Sequence, residues 1–266
     1  MVTDGRRGSR LGRRSAGLAL SLLALLSTGF ACGGDDPDAV SAQGASITVA
    51  AAASLRDAFE QLGGQLETAQ GIEVTFSFDS SSSLATQIVE GAPADLYASA
   101  AASDMDRLAD EGLVDAPEVF ARNRLTIVTE PGNPRDVGSL ADLVDAGIIS
   151  LCGADVPCGR YAQLALDAAG VAIPEHRVSR GQSATATLTA VAEGDAVAGI
   201  VYVSDALSAG SAVESVQIRD DDVTARYVIG VLDRTDHADS ARAFVDLVLS
   251  DAGQAVLEDH GFLPAP

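Results

Sequence analysis

Small or hydroxyl-bearing residues stand at four places where an apolar strand should give way to a helix. The stretches are Ala51-Ala52-Ala53-Ser54-Leu55, Ser80-Ser81-Ser82-Ser83-Leu84, Val156-Pro157-Cys158-Gly159 and Gly181-Gln182-Ser183-Ala184. A helix start exposes unpaired backbone N–H groups and carries roughly half a positive charge from its aligned peptide dipoles. Four such starts meeting at one point would hold an anion with no lysine or arginine.

That chemistry suits this chain because little else in it attracts an anion. It has 17 basic and 38 acidic side chains, a net charge of −21, and every basic residue is an arginine. Such a surface repels nucleic acid and anionic lipid, which argues against phosphate-backbone binding. The acidity otherwise reads as a solubility device. Apolar residues make up 47% of the chain but aromatics only 4%, with no tryptophan, so Ala, Val, Leu and Ile must fill the core.

Residues 1–31 read as a secretory signal. Arg6, Arg7, Arg10, Arg13 and Arg14 form a basic start, and Leu18 to Leu26 a short apolar run. The run falls short of the roughly 20 residues needed to span a bilayer. Cys32, after Thr28-Gly29-Phe30-Ala31, is placed like the lipidated cysteine of a bacterial lipoprotein, although Gly29 stands where an aliphatic residue is usual; an ordinary cleaved signal is the alternative. Residues 32–45 then form a flexible tether, and the protein faces the extracytoplasmic space on a lipid anchor. With Cys32 acylated, Cys152 and Cys158 remain as an even pair in an oxidising compartment, at a spacing suited to a small disulfide loop. Two free thiols or half a metal site are the other readings.

From Ser46 onward strand and helix patterns alternate, which argues an α/β domain. Ile47 to Ala50 is a strand, and Leu55, Ala58, Phe59, Leu62 and Leu66 repeat at helical spacing. Ser54 is expected to cap that helix with Asp57 as its capping-box partner, and Gly71 to close it. Strands follow over 74–78, 95–99, 124–129, 148–151, 177–179, 198–203 and 226–232. Helices are expected over 84–89, 103–110, 159–169, 183–193, 238–249 and 251–258. The strand from Arg124 and that from Arg226 read as paired crossings between two lobes of ordinary domain size.

Over about Ile47 to Phe262 the chain resembles the substrate-binding proteins of bacterial molybdate/tungstate ABC importers. The landmarks are Ile47-Thr48-Val49-Ala50-Ala51-Ala52-Ala53-Ser54-Leu55, Phe78-Asp79-Ser80-Ser81-Ser82-Ser83-Leu84-Ala85-Thr86-Gln87-Ile88, Gly91-Ala92-Pro93-Ala94-Asp95-Leu96, Val156-Pro157-Cys158-Gly159-Arg160-Tyr161-Ala162 and Gly199-Ile200-Val201-Tyr202. All five occur in order. The resemblance implies a two-lobed periplasmic-binding-protein fold, type II-like, with two crossover strands as hinge. Lobe 1 would comprise 46–124 plus 233–266, and lobe 2 residues 125–232. It implies a monomer that captures molybdate or tungstate, needs no cofactor, and delivers the anion to an ABC permease. Matched motif to motif, the oxyanion ligands fall on Ser54, Ser81, Cys158, Ala184 and Tyr202, molybdenum entering only as bound molybdate. Ser183 is the alternative to Ala184 in that loop. Asp79 departs from the pattern by placing a carboxylate beside the serine run.

The residue types fit that role. Ser54 and Ser81 offer hydroxyls, Cys158 and Ala184 backbone N–H groups, and Tyr202 a phenol. Donors without an acceptor favour fully deprotonated dianions, because a monohydrogen phosphate would bury an unpaired O–H at a cost of roughly 1–3 kcal/mol. Sulfate meets the same condition, so a sulfate-type binding protein is the alternative. Arg56 and Arg160 are read as surface residues. A secreted hydrolase is a rival of another class, but His176, His237 and His260 lie far from Ser54 and Ser81 in sequence, and no Gly-x-Ser-x-Gly elbow occurs. An adhesion lipoprotein with a degenerate cleft is a third reading.

Overall fold

The computed structural model describes residues 45–218 and 223–265. The expected leader and Cys32 lie outside these residues. β1 (Ser46–Ala52) passes through a 3-10 turn, Ala53–Leu55, into α1 (Arg56–Gln70). β2 (Glu73–Asp79) leads into α2 (Ser81–Val89), and β3 (Leu96–Ser99) into α3 (Ala102–Asp110). β4 (Glu118–Thr129) is followed by the short α4 (Leu143–Ala146), β5 (Ile149–Cys152) by α5 (Pro157–Ala168), and β6 (Val178–Gly181) by α6 (Ala184–Ala192). β7 (Ala198–Tyr202) runs directly into α7 (Val203–Ala209). β8 (Glu214–Gln217) and β9 (Thr224–Val231) precede α8 (Ala238–Leu249), α9 (Asp251–Asp259) and β10 (Leu263–Pro264).

The strands follow the order β2-β1-β3-β9-β4-β7-β5-β6, with β8 and β10 pairing to β4 off that path. At one end β1 is parallel to β2 and β3; at the other β5 is parallel to β6 and β7. The two parallel sections meet through antiparallel strands. β9 pairs with β3 and with Glu118 to Arg124 of β4. The rest of β4, Leu125 to Thr129, pairs with β7. One strand thus belongs to both sections. Ligands of open α/β sheets gather at the carboxyl ends of parallel strands, so this arrangement supplies two sets of strand ends.

Local chemistry explains most elements. Leu55, Ala58, Phe59, Leu62 and Leu66 are all buried, giving α1 one apolar face. Gly71 ends it at φ 69°, its N–H donating to the Glu67 carbonyl at 2.8 Å. The capping box expected at its start does not form. Leu55 occupies the N-cap without a side-chain bond, because Ser54 sits in the preceding 3-10 turn. Asp57 instead accepts from Ser208 Oγ on α7. β4 also starts earlier than its alternation indicates: a register irregularity between Val119 and Ala121 interrupts the period of two that marks a strand in sequence. α5 begins at Pro157, two residues before the expected Gly159, since proline's fixed φ suits the first helical position.

The scarce aromatics are concentrated along one line. Phe59 meets Phe244 at 5.2 Å between ring centroids, Phe120 at 5.9 Å and Phe76 at 6.2 Å. Phe120 then meets Tyr227 at 6.1 Å, and Tyr227 meets Tyr202 at 5.9 Å. The line runs from the core under α1 and α8 to the end of β7. Phe59→Ala should therefore cost about 3–5 kcal/mol in urea unfolding, lowering the midpoint at unchanged slope. A loss below about 1 kcal/mol would mean the surrounding rings close over the gap.

Candidate functional site

A small cavity of about 20 Å³ lies where the helix starts come together. In this measure that exceeds the roughly 10–15 Å³ one water needs. Its wall comprises Ala52, Ala53 and Ser54 after β1, Asp79, Ser80 and Ser81 after β2, and Ala100 after β3. The other wall is Pro157 and Cys158 after β5, Ser183 and Ala184 after β6, and Tyr202 at the end of β7. All five expected ligand positions, Ser54, Ser81, Cys158, Ala184 and Tyr202, face this one space. The alanines keep the backbone within reach of a small guest. None of the lining side chains is cationic.

Each position has a defined local reason. Ser80 caps α2, its Oγ accepting from Ser83 N at 3.2 Å, which puts Ser81 in the first turn. Ser81 lines the cavity, and its Oγ accepts from Ala100 N at 2.9 Å. Its carbonyl accepts from the buried Tyr97 hydroxyl at 2.8 Å, anchoring the turn. Cys158 and Ala184 sit at the first turns of α5 and α6, where backbone N–H groups have no partner inside the helix. Ser183 is the N-cap of α6, its hydroxyl accepting from Ala186 N at 3.2 Å, and both Ser183 and Ala184 line the cavity.

The loop carrying Cys158 is tied twice. Cys152 and Cys158 form a disulfide with Cα atoms 5.8 Å apart. In the chain-entropy model closing so short a loop is worth on the order of 2 kcal/mol. Gly159 packs so closely on the Gly153 carbonyl that a Cβ there would collide with it. Among the described residues no cluster of three His, Cys, Asp or Glu could hold a metal ion.

Tyr202 is the most telling wall residue. It is 1% exposed, and its hydroxyl is one of three buried side-chain atoms without a hydrogen-bond partner among the described residues, with Asn123 Oδ1 and Ser150 Oγ. A buried unpaired phenol costs roughly 1–3 kcal/mol, so a partner in the cavity would recover it. Burial holds the phenol well above its usual pKa, so it remains a donor. Tyr227, which no local pattern marks, reaches the site through Ser54: the two hydroxyls are 2.8 Å apart.

The acidic groups are placed with compensation. Asp79 stands in the wall, and its Oδ1 accepts from Ser80 N at 2.6 Å beside the positive end of α2. Arg56 lies on the surface as expected, paired with Glu60 at 3.4 Å and stacked over Phe78 at 4.4 Å. Arg160 is not a plain surface residue. It reaches from α5 to Asp104 on α3 at 2.6 Å, and Asp104 is 8% exposed. Burial raises the Asp104 carboxyl, and the Arg160 charge opposes that rise.

A model of bacterial extracellular solute-binding proteins matches residues 47–263. The chain belongs to that family. It is 42% identical over 259 residues to the molybdate-binding protein ModA of Mycobacterium tuberculosis, covering 94% of this chain and 98% of the relative. Among solved structures it shares its fold with the periplasmic molybdate-binding protein of Azotobacter vinelandii, at TM-score 0.72 and 20% identity over 83% of this chain and all of that one. The sulfate-binding protein SubI of M. tuberculosis matches at TM-score 0.74 and 22% identity, over 83% and 87% of the two chains. The fold is accordingly the α/β periplasmic-binding-protein type expected from the sequence. No helix among the described residues is long and apolar enough to cross a membrane.

One buried carboxylate stands directly behind this site. Asp205, in the first turn of α7, accepts from Tyr202 N at 3.1 Å. Burial, with a further rise from the Asp57 charge and a fall from the Tyr202 N–H, pushes its pKa up to about 7. A raised carboxyl favours the protonated form in the fold. Its contribution is therefore complete below the unfolded value near 4 and is lost as pH rises through 7, at up to roughly 1.4 kcal/mol per pH unit. Asp205→Asn keeps an acceptor for Tyr202 N and removes the charge. At pH 8 the variant should be the more stable by roughly 2–4 kcal/mol, the advantage shrinking as pH falls to 5 and vanishing near pH 4. Parallel curves from pH 5 to 8 would remove Asp205 as the titrating group.

Proposed function

We propose that this chain is an extracytoplasmic solute-binding subunit that captures molybdate or tungstate and passes it to an ABC permease, acting as a carrier and not an enzyme. The observation that carries the reading is a cavity walled by helix starts and hydroxyls, with the Tyr202 phenol buried in it and unpaired. The 42% identity to a molybdate-binding protein over nearly the whole of both chains supports the choice of ligand. Ser54, Ser81 and Tyr202 donate through hydroxyls, Cys158 and Ala184 through backbone N–H groups. The set contains no formal positive charge, so an anion is ranked by how many of its oxygens reach donors at once.

In this reading the parallel section β1–β3 with its helices is one lobe and β5–β7 with theirs the other, joined through β4 and β9. An anion bridging both walls binds the closed arrangement better than an open one, and that difference drives closure. The permease then meets a fixed separation of the lobes. Acylation of Cys32 would hold the protein at the membrane surface.

Calorimetric titration of the purified full chain with molybdate should give one-to-one binding that survives excess sulfate. Binding abolished by sulfate would transfer the function to a sulfate-type carrier. Ser81→Ala should weaken molybdate by roughly 1–3 kcal/mol, about 5- to 150-fold in Kd, because it removes a hydroxyl from the cavity wall. Unchanged affinity would take Ser81 out of the site. In cells, Cys32→Ser should release the protein from the membrane fraction, and retention there would exclude a lipid anchor at that residue.

A further inference from the structure

We infer that Tyr227 is a positioning residue for the anion site: its hydroxyl donates to Ser54 Oγ and so directs the single Ser54 proton into the cavity. The inference rests on the oxyanion reading above. Tyr227 does not line the cavity, yet its hydroxyl is 2.8 Å from Ser54 Oγ. A serine hydroxyl has one proton and two lone pairs. If Ser54 spends that proton on Tyr227, it turns lone pairs towards an anion and repels it. If Tyr227 is the donor, Ser54 is a donor to the guest.

Two features decide the direction. A phenol is a stronger acid than an aliphatic alcohol and so the better donor of the two. Tyr227 is also 0% exposed, so its O–H has to be paired inside the protein, and the Ser54 hydroxyl lies within hydrogen-bond distance of it. Ser54 has a second outlet, because it lines the cavity and can turn its own proton towards a guest.

The ring has a second role. It packs edge-on against Tyr202 at 5.9 Å and against Phe262 at 5.2 Å. One side chain on β9 therefore orients a hydroxyl beside α1 and supports the unpaired phenol at the end of β7. These two donors belong to opposite walls of the cavity.

The test is a double-mutant cycle on molybdate affinity, read by calorimetry on the full chain. Tyr227→Phe keeps the ring and removes only the hydroxyl. It should weaken binding about tenfold, in the range of a lost buried hydrogen bond. Ser54→Ala should weaken binding at least as much, and the double variant should be no weaker than Ser54→Ala alone. Combined with Ser81→Ala, Tyr227→Phe should instead be additive, which a general loosening of the core would not produce. Unchanged or tighter binding in Tyr227→Phe, while Ser54→Ala weakens it, would reverse the direction of donation and overturn the inference. An additive Ser54 pair would overturn it as well. A wild-type chain that gives no heat with molybdate marks failure of the oxyanion reading itself, and the inference falls with it.

Discussion

Unpaired N–H groups at helix starts are the constraint around which this molecule is arranged. A helix cannot satisfy its own first-turn donors, and here α2, α5 and α6 leave theirs around one small cavity, with the 3-10 turn before α1 beside them. In a chain of net charge −21, partial charges of this kind are the positive contribution that the cavity wall itself supplies. The helix-start N–H groups are neutral and fixed by backbone geometry, and no lining side chain is cationic. How these groups are placed depends on how the walls are spaced.

The sheet sets that spacing. Two parallel sections each send strand ends to the cavity, and β4 belongs to both through successive halves of its length. Movement of one wall relative to the other must therefore pass through β4 and its partner β9. The aromatic line from Phe244 through Phe59, Phe120 and Tyr227 to Tyr202 follows the same route. A core poor in aromatics places its stiffest side chains between the main hydrophobic mass and a wall donor. Packing and donor geometry are consequently not separable at Tyr202.

The acidic residues near the site show how negative charge is kept close without filling it. Asp79 gives one oxygen to Ser80 N beside a helix start. Asp104 is held by Arg160 across the gap between α3 and α5. Asp205 is buried behind Tyr202 and pushed up to about 7, so well below that pH it adds little charge beside the cavity. Each carboxylate is either paired, near a positive helix end, or shifted towards neutrality, as buried acidic groups must be.

The sequence by itself determined the alternation of strands and helices, the acidic surface and the helix starts, because periodicity and first-turn residues are local properties. It also carried the residues Ser54, Ser81, Cys158, Ala184 and Tyr202 to which the resemblance points. It misread what those residues touch. Ser54 has the form of an N-cap, but its hydroxyl faces Tyr227 on a strand 173 positions away. Asp57 has the form of its capping partner, but bonds Ser208 on α7. Arg160 has the form of a solvated helix residue, but closes on Asp104. In each case a tertiary partner outcompeted the local one, and only the packed chain brings such partners within reach. The convergence of the helix starts on one cavity was decided at the same level, because strand order, not strand sequence, sets which ends become neighbours.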